Sequence, residues 1–372
     1  MALSFPRRAR TTAALTLAVA LGLAACGDDA DDREAGAATG TGATAAAAPS
    51  GGSNPATTAL PIPDGTKLVV AEQNSGESIP WRLSGVGEDA PYDVDFANFN
   101  GGTAVIEALR AGAADVGFLG EAPLPLAVAA GADDIVAVAI EANPGSSGNY
   151  YLVARPGRGI ETVADLAGRK VAYPPGTGRH MILAAILAEA GLDLGTDVEG
   201  VELAGAEVAP TFASGAVDAA MVLGGQYFRV GEPPILDDGA GHNWGLSVVA
   251  VRRDTLDDPR KVAAIADYLR RVVASANWQH EHPDEVVQAV YVDQEGLTFE
   301  QGQRLRDEAG SGAFYPIGED VLRAFQEVAD GLADTGAMTR RVDIAPYVDD
   351  RFNDVVTAQN AADGVTLRPL FA

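Results

Sequence analysis

The chain has 372 residues, with 26 Lys plus Arg against 52 Asp plus Glu, a formal net charge of −26, and 47% hydrophobic residues. That apolar share excludes wholesale disorder, and the acidity argues against nucleic acid or an anionic lipid surface as a partner. A single cysteine excludes an intramolecular disulfide and a thiolate metal cluster, and four histidines leave little material for a His-based metal site.

Arg7, Arg8 and Arg10 precede an apolar run over residues 13–23, too short for a comfortable membrane span and followed by small residues. This is the pattern of a secretory signal. Leu23, Ala24, Ala25 and Cys26 then follow the order of a bacterial lipobox, which places cleavage before Cys26 and a lipid on its sulfur. A plain signal peptide with a coincidental Cys is the alternative. From 26 to 59 there is no Val, Ile, Leu, Met, Phe, Trp or Tyr. Such a segment buries too little apolar area to offset its ordering entropy. The expected plan is a signal peptide over 1–25 and a lipidated flexible tether over 26–66. The protein is then exported and held at the outer face of the cytoplasmic membrane through its lipid alone.

Periodicity predicts a strand over 67–71, a helix over 104–111, a strand over 115–119, a helix over 124–130 and a strand over 135–140. Strands follow at 150–154 and 170–173, with a helix at 162–167 between them and another at 180–190 after them. Further strands are expected at 198–203, 219–223 and 245–251, with a helix at 208–214. Beyond Asp258 the pattern changes to long helices over 260–280, 283–292, 298–309 and 319–335. Strand-helix alternation of this kind predicts mostly parallel sheets covered by helices. Two loop-like segments, 141–148 and 231–243, divide the body. The expected fold class is therefore α/β with two lobes joined by two hinge crossovers, a plan that closes around a ligand. Lobe 1 is discontinuous (67–149 with 246–358), lobe 2 covers 150–245, and 359–372 form a C-terminal tail. Two sequential domains are the alternative, but they leave the C-terminal helices with no sheet to cover.

Ligands of open α/β sheets sit at the carboxyl ends of strands, near helix N-termini. Three strand ends carry suitable residues. Gln73, Asn74 and Ser75 follow the first strand, with Gly76 permitting close approach. Gly120 and Glu121 lie between a strand and a helix opened by Pro123. Thr177, Gly178, Arg179 and His180 open the apolar helix, where Thr177 is placed to cap and free N–H groups form an anion site. The plain alternatives are a capped turn at the first loop, an ordinary acidic residue of a helix start at Glu121, a solvated Arg179 and a structural His180. Gly176 and Gly178 do not make a phosphate P-loop or a dinucleotide fingerprint, and no Gly-x-Ser-x-Gly elbow or His-Glu-x-x-His is present. His280 and His282 diverge at a helix end and read as surface.

These segments together resemble the substrate-binding proteins of ABC importers, in the branch for aliphatic sulfonates, taurine, nitrate and thiamine-pyrimidine precursors. The resemblance rests on Gly120, Glu121, Ala122 and Pro123, then Val163 to Ala172 with Gly176 and His180. It continues through Phe212, Ala213, Ser214, Gly215, Val217 and Asp218, and ends at Asn277, Trp278 and His282 to Glu285. It implies a type 2 periplasmic-binding-protein fold, no enzymatic activity, and no cofactor or metal. The implied partners are a small organic anion or zwitterion, and the permease and ATPase subunits of an importer; the protein acts as a monomer. The implied ligand residues are Gln73, Ser75, Gly120, Glu121, Thr177 and His180; Gln226, after the 219–223 strand, completes the candidate set. The family often carries Trp-Asp-Pro where this chain has Leu223 and Gly224, a change that removes a carboxylate and reshapes the pocket. Trp81, Tyr150, Tyr227 and Trp244 are candidate stacking walls, with core or hinge packing as the alternative for each. Relatives of this fold that make a thiamine pyrimidine, and a non-transport envelope sensor, are the alternatives.

Overall fold

The computed structural model describes residues 61–144, 146 and 148–371. The signal peptide, Cys26 and all of the tether before residue 61 lie outside the described residues.

The first five elements are β1 (Lys67–Glu72), α1 (Ser78–Ser84), β2 (Asp93–Asn98), α2 (Gly102–Arg110) and β3 (Val116–Gly120). Then come α3 (Pro123–Ala129), β4 (Ile135–Ala142), β5 (Tyr150–Ala154), β6 (Lys170–Tyr173), α4 (Gly178–Glu189), β7 (Glu199–Glu202) and α5 (Val208–Ser214). They are followed by β8 (Ala219–Leu223), α6 (Gly224–Arg229), β9 (Ile235–Asp237) and β10 (Ser247–Arg252). Helices α7 (Pro259–Glu281), α8 (Pro283–Val286) and α9 (Phe299–Ala309) precede β11 (Ala313–Tyr315), α10 (Glu319–Asp334) and α11 (Asn353–Ala362). The expected helix over 162–167 is a single 3₁₀ turn, Val163–Leu166, and the one over 283–292 continues past α8 as a π-helical stretch, Val287–Gln294.

Two sheets result. One has six strands in the order β11-β4-β10-β3-β1-β2, the other five in the order β7-β6-β8-β5-β9. The expectation of mostly parallel pairing is corrected. β1 pairs in parallel with β2 and β3, and β6 with β7 and β8. By contrast β10 is antiparallel to both β3 and β4, and β5 to both β8 and β9. The reason lies in the crossovers. A helix returns the chain to the same end of its own sheet and so gives parallel neighbours. A strand that arrives from the other sheet enters from the opposite end. β5 is the first strand to enter the second sheet and β10 the first to re-enter the first, and each runs against its set.

Each sheet is covered on both faces. In the first, Val105, Leu109, Leu124, Phe325 and Leu332 pack on one side, and Trp81, Tyr268, Leu269 and Phe352 on the other. In the second, Ile182, Leu183 and Leu187 cover one face, and Val208, Phe212 and Tyr227 the other. Leu297 and Leu305 join that last cluster, so the chain around α9 packs onto the second sheet. Tyr151 donates to Glu308, and Arg304 lies over the rings of Tyr227 and Phe228. Residues after 358 are packed as well: Leu370 is buried, Phe371 meets Trp244, and the carbonyl of Arg368 accepts from the Tyr315 hydroxyl.

Candidate functional site

The β1 strand ends in a turn whose backbone is forced. Asn74 and Ser75 have φ of 54° and 57°, the left-handed region that L-residues other than Asn and Asp seldom occupy. Asn98, at the end of β2, holds that turn. Its Oδ1 accepts from the Ser75 N–H at 2.8 Å, and its Nδ2 donates to Ser75 Oγ at 3.1 Å and to Glu72 Oε1 at 3.2 Å. Glu72 is fully buried, and its Oε2 accepts from the N–H groups of Glu77 and Ser78. The donors at the start of α1 are thus already taken by a carboxylate of the chain. Gln73 turns the other way and donates from Nε2 to the carbonyl of Phe118 at 3.2 Å.

At the end of β3, Gly120 is exposed, and a Cβ there would meet nothing within 4 Å. Glu121 is 5% exposed. Its Oε2 accepts from the Leu246 N–H at 3.3 Å, while its buried Oε1 has no partner among the described residues. Burial pushes the carboxyl up to about 7, against the pull of the Leu246 amide. A Cβ on Gly178 would lie 3.6 Å from Glu121 Oε1 and 3.8 Å from the Tyr150 hydroxyl. The Tyr150 phenol is pushed up to about 12 by burial and by the neighbouring Glu121. Three elements therefore converge here: the end of β3, the start of β5 and the N-terminus of α4. A Cβ on Gly176, in the loop before α4, would lie 3.4 Å from Leu126 on α3, and Met181 of α4 joins the core of the first sheet.

Thr177 sits at the N-cap position of the 12-residue α4, but it does not cap. Its hydroxyl donates back to the Pro174 carbonyl at 2.8 Å. This corrects the expected side-chain cap: the loop closes on itself and leaves the helix start uncapped by a side chain. His180 is buried, lies 4.8 Å from the Tyr173 ring centre, and accepts at Nδ1 from the Gly176 N–H at 3.3 Å. Burial holds its pKa below the ordinary value. With Nδ1 accepting from Gly176, the ring shapes the loop before α4.

Gln226 has other work. Its Oε1 accepts from the Leu223 N–H at 3.1 Å and from Arg179 Nη1 at 3.2 Å, and its Nε2 donates to the Gly205 carbonyl at 2.9 Å. Arg179 is 8% exposed and also donates to the Met221 carbonyl. The pair braces the inside of the second sheet, and both ends of the Gln226 amide are engaged within the chain. Tyr227 packs on Tyr151 and Phe228, and Trp244 on Phe371, as core and not as walls of this site. His280 and His282 are half-buried instead of lying free at the surface: His280 bonds the Gly312 carbonyl, and His282 stacks on Trp278 at 4.2 Å. Among the described residues no group of three or more His, Cys, Asp or Glu could hold a metal, and no helix is long and apolar enough to cross a membrane.

Comparison with known proteins fits this geometry. Residues 86–289 match the family model described as ABC transporter, phosphonate, periplasmic substrate-binding protein. A protein of Escherichia coli (strain K12) named for binding aliphatic sulfonates is 39% identical over 126 residues, 34% of this chain and 38% of that protein. The chain spans about two fifths of the length of the curated relatives it matches. The crystal structure of the periplasmic aliphatic sulphonate binding protein SsuA from Escherichia coli superposes with a TM-score of 0.66 and 26% identity, covering 76% of this chain and 92% of that one. The alkanesulfonate-binding protein SsuA from Xanthomonas axonopodis pv. citri, bound to MOPS, gives 0.66 and 23%, covering 77% and 99%. The two sheets with their two crossovers are thus those of the periplasmic binding protein fold.

Proposed function

The chain belongs to the periplasmic substrate-binding family of phosphonate ABC transporters, and from that we propose that it is the extracytoplasmic solute receptor of an importer. Its ligand is a small organic anion or zwitterion with a sulfonate-, phosphonate- or nitrate-like head. The permease and ATPase subunits of the importer are its partners. Residues 67–149 with 246–358 act as one lobe and 150–245 as the other, hinged at the two crossovers.

The observation that carries this reading is the N-terminus of α4 facing Glu121. The helix start presents N–H groups and the positive end of the helix dipole, which favour an oxyanion. Opposite stands a buried carboxyl with one oxygen unpartnered and a pKa near neutrality. In its protonated form it donates to an anion oxygen. Gly120, the Gln73–Ser75 turn and Thr177 surround that junction in the proposed site, with His180 setting the loop. Ligand contacts to both lobes favour the closed form by their differential affinity. The groups at the junction are a carboxyl, a phenol and a helix end, a set that holds an anion, and the reading is of a receptor and not an enzyme. Cys26 is proposed as the lipid anchor, with residues 26–66 as tether.

A thermal-shift series on the protein lacking residues 1–66 tests the ligand class, using ethanesulfonate, taurine, methylphosphonate and nitrate. A one-to-one ligand at 100 times its Kd adds about 2.7 kcal/mol. Stabilisation by at least one is expected; none by any of them overturns the reading. The anchor has its own test: Cys26→Ser should release the protein from the membrane fraction, and retention refutes lipidation.

A further inference from the structure

A cavity of about 140 Å³ lies on the α7 side of the first sheet, between α1, α7, the end of β4 and β11. Its walls include Trp81, Tyr268 and Phe314, with Glu77, Glu141 and Ser275 supplying polar groups. The volume exceeds what a single water needs. Tyr268 is 0% exposed, and its hydroxyl has no hydrogen-bond partner among the described residues. Neither Glu77 nor Glu141 makes a salt bridge there; the charge of Arg306 reaches Glu141 without forming an ion pair. Burial holds both carboxyls above their ordinary range, and for Glu77 the neighbouring Glu141 and Glu72 add to it.

Glu141 and Glu72 repel the charge of Glu77, a repulsion that an anion adds to and a cation relieves. A neutral apolar ligand would leave the Tyr268 hydroxyl buried and unpaired, at a cost of about 1–3 kcal/mol, beside two half-buried carboxyl groups. A cation answers all of them. Aromatic faces attract ammonium groups through their quadrupole, by about 0.5–2 kcal/mol. Trp81 and Tyr268 pack on one another with ring centres 5.2 Å apart, and both line the cavity wall.

We propose that this cavity is a binding site for a small alkylammonium cation, held by the Glu77 and Glu141 carboxylates and the Tyr268 hydroxyl against the Trp81 ring. Along the sheet, Glu141 pairs with Ser247 and Ser247 with Gly120. The site therefore lies two strands, roughly 10 Å, from the Gly120 loop. It is distinct from the junction at α4, although Gly76 and Glu77 in its wall directly follow the Gln73–Ser75 turn of the proposed anion site.

Isothermal titration of the full folded body with ethylammonium chloride tests this, with potassium chloride as the ionic control. Saturable one-to-one binding is expected for ethylammonium and not for potassium. Glu141→Gln should weaken it at least tenfold and Tyr268→Phe severalfold. Should Glu141→Gln not fold, Glu77→Gln carries the same expectation. No saturable binding by the parent protein overturns the proposal, as does an affinity that Glu141→Gln or Glu77→Gln leaves unchanged. A parallel titration with ethanesulfonate reads the anion junction alone. A response there without one to ethylammonium refutes the cavity and spares the receptor reading.

Discussion

Asn143 and Gly245 tie the two crossovers to each other: the Asn143 N–H on the outgoing segment donates to the Gly245 carbonyl on the returning one at 3.2 Å. Gly245 has φ of +62°, and a Cβ there would stand 2.9 Å from the Asn143 carbonyl oxygen. Both the backbone conformation and the close approach require glycine. Gly245→Ala should therefore destabilise the fold by about 1–3 kcal/mol, read as a lowered midpoint in urea unfolding. Gly231, also at positive φ (+85°) but with nothing within 4 Å of a Cβ there, makes the conformational control. If Gly245→Ala unfolds at the parent midpoint, the two crossovers do not constrain one another.

Glu121 predicts an unusual pH dependence. Its folded pKa of about 7 lies above the ordinary carboxyl value of 4.5. The folded state then binds more protons than the unfolded state between these values, and stability falls as pH rises through that window. The group's contribution is complete below about 4.5 and is lost by the time pH passes about 7, to the extent of roughly 3 kcal/mol at most. Glu121→Gln keeps an acceptor for the Leu246 N–H and removes the titration. Its Tm should exceed that of the parent at pH 8 by more than it does at pH 5. A difference that is the same at both pH values would place the Glu121 pKa back in the ordinary carboxylate range.

The brace inside the second lobe makes a different prediction. Gln226→Ala leaves Arg179 without a side-chain acceptor and also frees the Leu223 N–H and the Gly205 carbonyl. Stranding a buried charged group and two backbone groups should cost about 2–4 kcal/mol. Chemical unfolding checks it. A Gln226→Ala protein of full stability but lowered ligand affinity would place Gln226 in the ligand site and not in a brace.

That contrast shows what could be read from residue types alone. The helix start at Thr177 and Gly178, and the acid at Glu121, were legible because each follows a strand end, where position is set by local chain geometry. Gln226 is just as polar and also follows a strand, yet its neighbour Arg179 comes from 47 residues away, and no local pattern announces that contact. The reversed strands β5 and β10 were invisible for the same reason, since direction within a sheet depends on where the chain re-enters it. β2 was missed because acids occupy alternate positions, Asp93 and Asp95, with Val94 and Phe96 between them. That is the alternation of an edge strand with one face in solvent. The cavity of Glu77 and Glu141 joins residues from separate elements, neither of which stands out in its own segment.

The turn after β1 offers the last test, because its strain is held by one side chain. Asn98 bonds Ser75 at both its N–H and its hydroxyl, and it also satisfies Glu72 Oε1. Without it, Asn74 and Ser75 lose what keeps them at positive φ, and the turn relaxes toward ordinary backbone. Asn98→Ala should cost about 1–2 kcal/mol in stability. If the turn belongs to the proposed anion site, the same variant should weaken ethanesulfonate binding by at least tenfold, since a preorganised loop becomes one that the ligand must order. Asn98→Asp separates the two effects: it keeps the acceptor for the Ser75 N–H but sets a carboxylate against buried Glu72. Its stability should fall further than that of Asn98→Ala. Ethanesulfonate affinity that is unchanged in Asn98→Ala would remove the Gln73–Ser75 turn from the site and leave the α4 junction to bind the ligand alone.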